Sequence, residues 1–236
     1  MSEKKELTRG EQLRKSLVYD RKNGYDRMDA AELDAMESYC EGYKQYLDAG
    51  KTERECVDLT ISMAEAAGFR PYVRGTAAKP GDKFYRVNRG KAIMLAVVGK
   101  KSLADGANIG AAHIDAPRLD LKPNPMYESD EMAFLKTHYY GGIRKYQWVA
   151  IPLELHGVVA LKDGSVVRVS VGNGENDPVF TIDDLLPHLG AEQSKKPLGE
   201  AIPAESLNIL VGSRPLADDE GSDRVKLSVL ELLNRK

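Results

Sequence analysis

Several features that would point to particular protein classes are scarce or missing in this sequence. Its 236 residues include only two cysteines, Cys40 and Cys56, and these lie in separate helical patterns, so two reduced thiols are expected rather than a disulfide framework. No apolar run approaches the roughly 20 residues that a membrane-spanning helix needs. The charged residues 1–6 contain no apolar core of the kind a signal peptide has. We therefore expect a cytoplasmic protein without membrane association.

An excess of charge of one sign is also missing, as are nucleotide-binding motifs. Lys and Arg total 34 against 36 for Asp and Glu, and the basic residues are interleaved with acidic ones, so nucleic-acid binding is not expected. The glycines of segment 172–174 have neither the lysine nor the helix start of a phosphate-binding loop. Neither a nucleophile elbow nor a Cys-x-x-Cys pair occurs. With 42% hydrophobic residues, the composition is that of a globular enzyme of one large domain or two modest ones.

The first half of the chain alternates helical patterns with apolar runs. Apolar residues recur at helical spacing over 30–47, and Thr52 with Glu55 forms a capping box that predicts the start of a second helix. The continuous apolar run 92–98 predicts a strand covered on both faces, and 108–112 predicts a neighbouring strand. Helices followed by buried strands indicate an α/β layer, in which ligands gather at the carboxyl ends of the strands.

After Pro125 the pattern becomes that of a β-rich α+β module. Asp163-Gly164 between two β-branched runs predicts a hairpin, because glycine accepts the positive φ of a tight turn. Residues 181–184 predict the start of a short helix, and further along the pattern predicts a strand over 207–211 and a terminal helix over 222–233. We place the boundary near Lys122, which gives an α/β part of residues 1–122 and a β-rich part of residues 123–236.

The most informative stretch is Asn108 to Arg118, which places a histidine at the predicted end of a strand. On a strand, His113 and Asp115 would share a face, and an imidazole beside a carboxylate suits a metal ligand with a group that orients it. On spacing alone, a histidine and an aspartate of this kind more often form a satisfied structural pair than a metal or catalytic site.

The flanking sequence resembles the aspartyl-aminopeptidase family of co-catalytic zinc metallopeptidases, in particular its bacterial members. The resemblance covers nearly the whole chain and is most specific from His113 onward. The segments that carry it are 113–125, 140–143, 147–148, 152–153, 155–159, 176–180, 184–189 and 207–212.

The resemblance implies a metallopeptidase catalytic layer with an inserted β-rich module that serves dimerisation and access control. It implies that His113 is a zinc ligand and that Asp115 is the catalytic-site residue orienting its imidazole. His188 matches a histidine of the inserted module that reaches the active site across the dimer and contacts substrate, although packing on the module's core is an equal alternative. Two zinc ions per complete site, a peptide substrate and a homo-oligomer are further implications.

The remaining ligands that such a site requires have no counterpart in this sequence. In the family, the bridging carboxylate, the other ligands and the general base follow the inserted module, and the acidic cluster 218–220 is better explained as a surface turn. We therefore expect a part of an aminopeptidase that is inactive alone and acts with a complementary C-terminal half. The alternative is a non-catalytic assembly or regulatory protein that retains the dimerisation surface. His138 and His156 are expected to have structural roles.

Overall fold

The computed structural model describes residues 7–235, which divide into two compact units between Ala49 and Gly50. The first unit is helical and contains α1 (Arg9–Leu17) and α2 (Ala30–Ala49). The predicted helix over 30–47 is thus confirmed. Cys40 and Cys56 are not joined in a disulfide; Cys40 is exposed, and Cys56 is buried with its Sγ 3.5 Å from the carbonyl oxygen of Gly50.

The second unit begins with a helix and a small sheet. Helix α3 (Glu53–Ala66) starts at the predicted capping box, because Thr52 Oγ1 accepts from the amide of Glu55 and the Glu55 carboxylate accepts from the amide of Thr52. Strands β1 (Arg70–Pro71), β2 (Lys83–Asn88) and β3 (Ala92–Val97) follow and form a sheet in the order β1-β2-β3. Strand β2 pairs parallel to β1 and antiparallel to β3.

The rest of the second unit is β-rich, as the sequence predicts. Its elements, in chain order, are β4 (Arg118–Ser129), β5 (Met132–Tyr140), β6 (Leu155–Ala160), β7 (Val166–Val171), α4 (Leu198–Ala201), β8 (Ile209–Gly212) and α5 (Arg224–Arg235). An antiparallel sheet has the order β4-β5-β8, and β6 pairs with β7 in the hairpin predicted at Asp163-Gly164. The terminal helix is also confirmed, and its buried Val225 and Val229 pack against Ala133 of β5.

The larger of the two buried apolar clusters lies within this β-rich region. Trp148, the only tryptophan of the sequence, is packed against it. The core consists of Leu135, Val171, Phe180, Ile182, Ile202, Leu207 and Ile209.

Three expectations from the sequence are wrong. Strand β3 is present but largely exposed, with Met94 72% and Val97 60% accessible, because β2 is the only strand that pairs with it among residues 7–235. Residues 108–112 form no strand, because nothing in the described chain supplies a hydrogen-bonding neighbour. The helix predicted at 181–184 is absent, since Thr181 instead bridges to Leu210 in an extended conformation.

Lys122, the predicted boundary, lies inside β4 (Arg118–Ser129), at an irregularity where the register with β5 shifts between Leu121 and Met126. The division into a catalytic part and a dimerisation part therefore remains a prediction. Within residues 7–235, no helix combines the length and apolar character that crossing a membrane requires.

Candidate metal-binding segment

His113 lies in an irregular segment rather than at the end of a strand, and its side chain is 84% exposed. Its Nδ1 atom is 3.0 Å from the backbone carbonyl oxygen of Asp115 and 3.0 Å from Asp115 Oδ1. Both of these atoms are acceptors when the carboxylate is ionised, so Nδ1 must carry the imidazole proton. The lone pair of the neutral ring then lies on Nε2, the nitrogen that can bind a metal.

The predicted pairing of His113 with Asp115 is therefore present, although a local turn produces it and strand geometry does not. The carboxylate of Asp115 accepts a second hydrogen bond on its other oxygen, because Tyr140 Oη lies 2.7 Å from Oδ2. This bond from Tyr140 holds the pKa of the Asp115 carboxyl below its ordinary value, with a smaller contribution in the same direction from His113. The same bond raises the pKa of the Tyr140 hydroxyl. Asp115 consequently stays ionised and able to accept the imidazole proton.

Tyr140 reaches Asp115 from the last position of β5, where the strand register places it opposite Arg118 of β4. The Arg118 guanidinium lies 4.1 Å from the centre of the tyrosine ring. That guanidinium is held in turn by Glu53, 3.1 Å away, and by Asp120, 2.7 Å away. A chain of contacts thus leads from α3 and the β4–β5 pair to the carboxylate beside His113. Sequence reasoning missed Tyr140, and the only signal for it is that 140–143 is one of the segments that carry the family resemblance.

The residues around His113 can supply one ligand to a zinc ion. A neutral, exposed imidazole with its other nitrogen held by a carboxylate is the arrangement in which histidine binds metals. Within residues 7–235, no group of three or more His, Cys, Asp or Glu side chains is placed to hold a metal ion. The donor set fits one ligand position of a tetrahedral site, and the other positions need donors from elsewhere.

His188, the predicted substrate contact, lies in an exposed turn formed by Pro187 to Leu189. The alternative prediction, that His188 packs on the core of the module, is therefore wrong. In the described residues, no hydrogen bond or ion pair joins His188 to His113 or Asp115. Its leucine neighbours are also exposed, with Leu186 66% and Leu189 71% accessible.

His156, for which a structural role is expected, lies between two carboxylates. Its Nδ1 atom is 2.8 Å from Glu55 Oε1, its Nε2 atom is 3.3 Å from Glu154 Oε2, and only 10% of the side chain is exposed. Partial burial raises the pKa of the Glu55 carboxyl, but hydrogen bonds from His156 and Thr52 together outweigh it and leave this pKa below its ordinary value. His138, by comparison, is exposed and stacks on Tyr139.

His156 also lines a cleft of about 650 Å³ next to the start of α3 and the β6–β7 hairpin. Arg118 and Glu154 contribute charge to this cleft, and Leu135 and Phe180 contribute apolar surface. His113, Asp115 and His188 do not line it. Arg118 connects the two regions, because it lines the cleft and its guanidinium also covers the ring of Tyr140, which contacts Asp115.

Residues 46–236 match the family model described as Aminopeptidase I zinc metalloprotease (M18). A Clostridium acetobutylicum protein named probable M18 family aminopeptidase 1 is 46% identical over 224 residues, which are 93% of this chain and 48% of the relative. A protein of the same name from Borrelia garinii is 42% identical over 217 residues, which are 92% of this chain and 47% of the relative.

Solved structures agree. The crystal structure of an M18 family aminopeptidase from Thermotoga maritima matches with a TM-score of 0.83 at 40% identity, covering 92% of this chain and 47% of that one. Aminopeptidase I from Clostridium acetobutylicum matches with a TM-score of 0.80 at 43% identity, covering 93% of this chain and 49% of that one. This chain spans about half the length of the curated relatives it matches. The predicted resemblance is confirmed, and the chain belongs to the M18 family of aminopeptidase I zinc metalloproteases.

Proposed function

We propose that this chain supplies the first metal-ligand segment of a zinc-dependent aminopeptidase that removes N-terminal residues from peptides. His113 provides one zinc ligand through Nε2, and Asp115 orients the imidazole by accepting the proton of Nδ1. The observation that carries this proposal is the geometry of His113, whose Nδ1 faces two acceptors within 3.0 Å while the ring is 84% exposed. A buried structural pair would not leave the imidazole open to an incoming ion.

Zinc, when bound, would lower the pKa of a water molecule and polarise the scissile carbonyl, and two ions per complete site are expected for the family. The residues of this chain would contribute position and charge rather than the chemical step. Asp115 keeps a negative charge beside the imidazole, which raises the basicity of Nε2. His188, exposed in its turn, would contact the peptide substrate in an assembled enzyme.

The remaining ligands would come from a complementary C-terminal half, and two exposed surfaces support such a partner. Within residues 7–235, β3 pairs along one edge only and carries the exposed Met94 and Val97, and Ile109, in the irregular segment that follows, is 87% exposed. Apolar strand edges of this kind are normally covered by another polypeptide segment. A partner that covered this surface would bury β3, as the apolar run 92–98 predicts.

A homo-oligomer is the second expected assembly, in which residues 123–236 act as the dimerisation and access module in the cytoplasm. The β6–β7 hairpin supports it, since its two-stranded sheet has free edges within the described chain and carries exposed Val159, Val166 and Val167. Neither the peptide substrate nor the assembly requires nucleic acid or a membrane.

The second candidate function is a non-catalytic assembly or regulatory protein that retains this dimerisation surface. The observation in its favour is that residues 7–235 contain no group of three potential metal ligands. A protein of this kind would form defined oligomers but would neither need His113 nor bind zinc tightly.

A chimera tests the two candidates. The chain would replace the matching 48% of the Clostridium acetobutylicum relative, and hydrolysis of a peptide with a free amino terminus would be measured with and without zinc. We expect zinc-dependent activity that His113→Ala abolishes and that His138→Ala, a change at an exposed histidine of β5, leaves unchanged. A folded chimera whose activity does not respond to His113→Ala contradicts the proposal, and a folded oligomeric chimera with neither zinc nor activity favours the assembly role.

A further inference from the structure

We propose that Tyr140 is a positioning residue that fixes the tautomer of His113 by holding the Asp115 carboxylate in place. The inference rests on the proposed role of His113 as a zinc ligand and deepens it. Its basis is that the two oxygens of one carboxylate are divided between two donors. Oδ2 accepts from Tyr140 Oη at 2.7 Å, and Oδ1 faces His113 Nδ1 at 3.0 Å.

The Asp115 carboxylate needs such a support because its own segment provides little. Residues 107–117 form no helix or strand, so no ladder of backbone hydrogen bonds holds them. The Asp115 side chain is 35% exposed, and water can compete for its oxygens. A carboxylate on an irregular segment would otherwise rotate and present either oxygen, or neither, to the imidazole.

Tyr140, in contrast, stands on a rigid element. It ends β5, whose register with β4 places it opposite Arg118, and the guanidinium of that arginine covers its ring at 4.1 Å. Arg118 is itself fixed by Glu53 and Asp120. The hydroxyl therefore projects from a clamped ring, and its one proton points at Oδ2 because a carboxylate oxygen can only accept.

The consequence concerns which ring nitrogen of His113 is bare. A free neutral imidazole can carry its proton on either nitrogen, and only the form with the proton on Nδ1 leaves Nε2 able to bind a metal. Tyr140 favours this form indirectly, because a carboxylate anchored on Oδ2 keeps Oδ1 directed at Nδ1. Without the hydroxyl, the carboxylate is released, and the backbone carbonyl oxygen of Asp115 is left as the acceptor that Tyr140 does not control, so the tautomer preference weakens without disappearing.

The test is nitrogen NMR of the His113 ring in the full chain, without metal, at a pH of about 8.5 where histidine is neutral. In the unchanged chain, Nδ1 should show the shift of a protonated ring nitrogen and Nε2 that of a bare one. Orienting partners of metal-binding histidines typically contribute about 10- to 100-fold, so a group one contact further away should contribute less. We expect Tyr140→Phe to lower the ratio of the two tautomers by about 3- to 10-fold. Tyr139→Phe, the matched change at the preceding position, should leave the ratio unchanged.

An unaltered tautomer ratio in a folded Tyr140→Phe chain would overturn the inference, as would an equal loss in Tyr139→Phe. If the phenylalanine variant does not fold, the unchanged chain decides the question. Its Tyr140 hydroxyl proton should exchange with water more slowly than that of free tyrosine, and equal exchange rates would refute the proposal. Because these readouts need neither zinc nor activity, they can fail while the proposed function stands, and the chimera assay can fail while they succeed.

Discussion

Glu55 joins two parts of the second unit through one carboxylate, so its removal should destabilise the chain strongly. One oxygen, Oε2, accepts from the amide of Thr52 at 2.8 Å and completes the cap of α3. The other oxygen, Oε1, lies 2.8 Å from Nδ1 of His156 in β6. The Glu55 side chain is 24% exposed and the His156 side chain 10%, so solvent weakens the pair only in part.

Two variants separate these contributions. Loss of the carboxylate half of a capping box costs about 0.3–1.5 kcal/mol, because Thr52 Oγ1 still accepts from the amide of residue 55, and a buried donor left without its partner costs about 1–3 kcal/mol. Glu55→Ala removes both interactions, so we expect the free energy of unfolding to fall by about 2–4 kcal/mol. Glu55→Gln can keep the cap through its carbonyl oxygen. Its NH2 group then faces His156 Nδ1 and can donate to it only if the imidazole proton moves to Nε2, so a fall of about 1 kcal/mol is expected. Glu41→Ala, which removes a highly exposed pair within α2, should change the free energy by about 0.5 kcal/mol or less.

The direction of the pKa shift of Glu55 determines how its stabilising effect changes with pH. Because the pKa of Glu55 in the folded chain lies below its ordinary value of 4.5, the stabilisation is present above pH 4.5 and is lost as the pH falls through the lowered value. The difference between the unchanged chain and Glu55→Gln should therefore stay constant from pH 7 to about pH 4.5 and shrink as the pH falls further. Urea unfolding at several pH values measures it. A loss below about 1 kcal/mol in Glu55→Ala at pH 7, or a difference that does not shrink below about pH 4.5, would refute the reasoning.

The chain alone should not hydrolyse a peptide with a free amino terminus, even with added zinc, because one imidazole cannot retain a catalytic metal. Steady hydrolysis that His113→Ala abolishes would disprove this prediction. Limited proteolysis should cut first before about Lys122 and leave a resistant second half, since the exposed β3 and the irregular segment after it lie there; a resistant N-terminal fragment would count against that boundary. Gly212→Ala should destabilise by about 1–3 kcal/mol in thermal unfolding, because a Cβ atom would lie 2.6 Å from Cγ2 of the buried Val229; Gly199→Ala, which meets nothing within 4 Å, is the control, and equal stability of the two would contradict the packing argument.

Local chemistry made much of the fold predictable. The capping box at Thr52 and the turn at Asp163-Gly164 satisfy their own backbone groups within a few residues, so their signals do not depend on distant packing. The strand predicted over 108–112 and the full burial of β3 depended on neighbours that residues 7–235 do not supply. The helix predicted at 181–184 did not form, because Phe180 and Ile182 are buried in the core and Thr181 bridges to β8.

In the candidate site, too, contacts between residues close in sequence could be predicted, and contacts between distant residues could not. His113 and Asp115 are two residues apart, so their contact could be predicted although the geometry assumed for it was wrong. Tyr140 lies 25 residues from Asp115, and its role depends on the register of β5 against β4, which no local pattern determines. Glu55 and His156 are 101 residues apart, and their pairing depends on how α3 meets the β6–β7 hairpin.

The most direct test of the central claim is a zinc titration of aminopeptidase activity in the chimera, comparing the unchanged chain with Asp115→Asn and His113→Ala. Asp115→Asn replaces the anionic acceptor by a neutral amide of the same size. We expect the zinc affinity to fall by about 10- to 100-fold and the lost activity to be partly restored at higher zinc concentration. His113→Ala removes the ligand itself and should lower the zinc affinity further. Identical zinc curves for the unchanged chain and Asp115→Asn would contradict the account and leave Asp115 as a structural neighbour of His113.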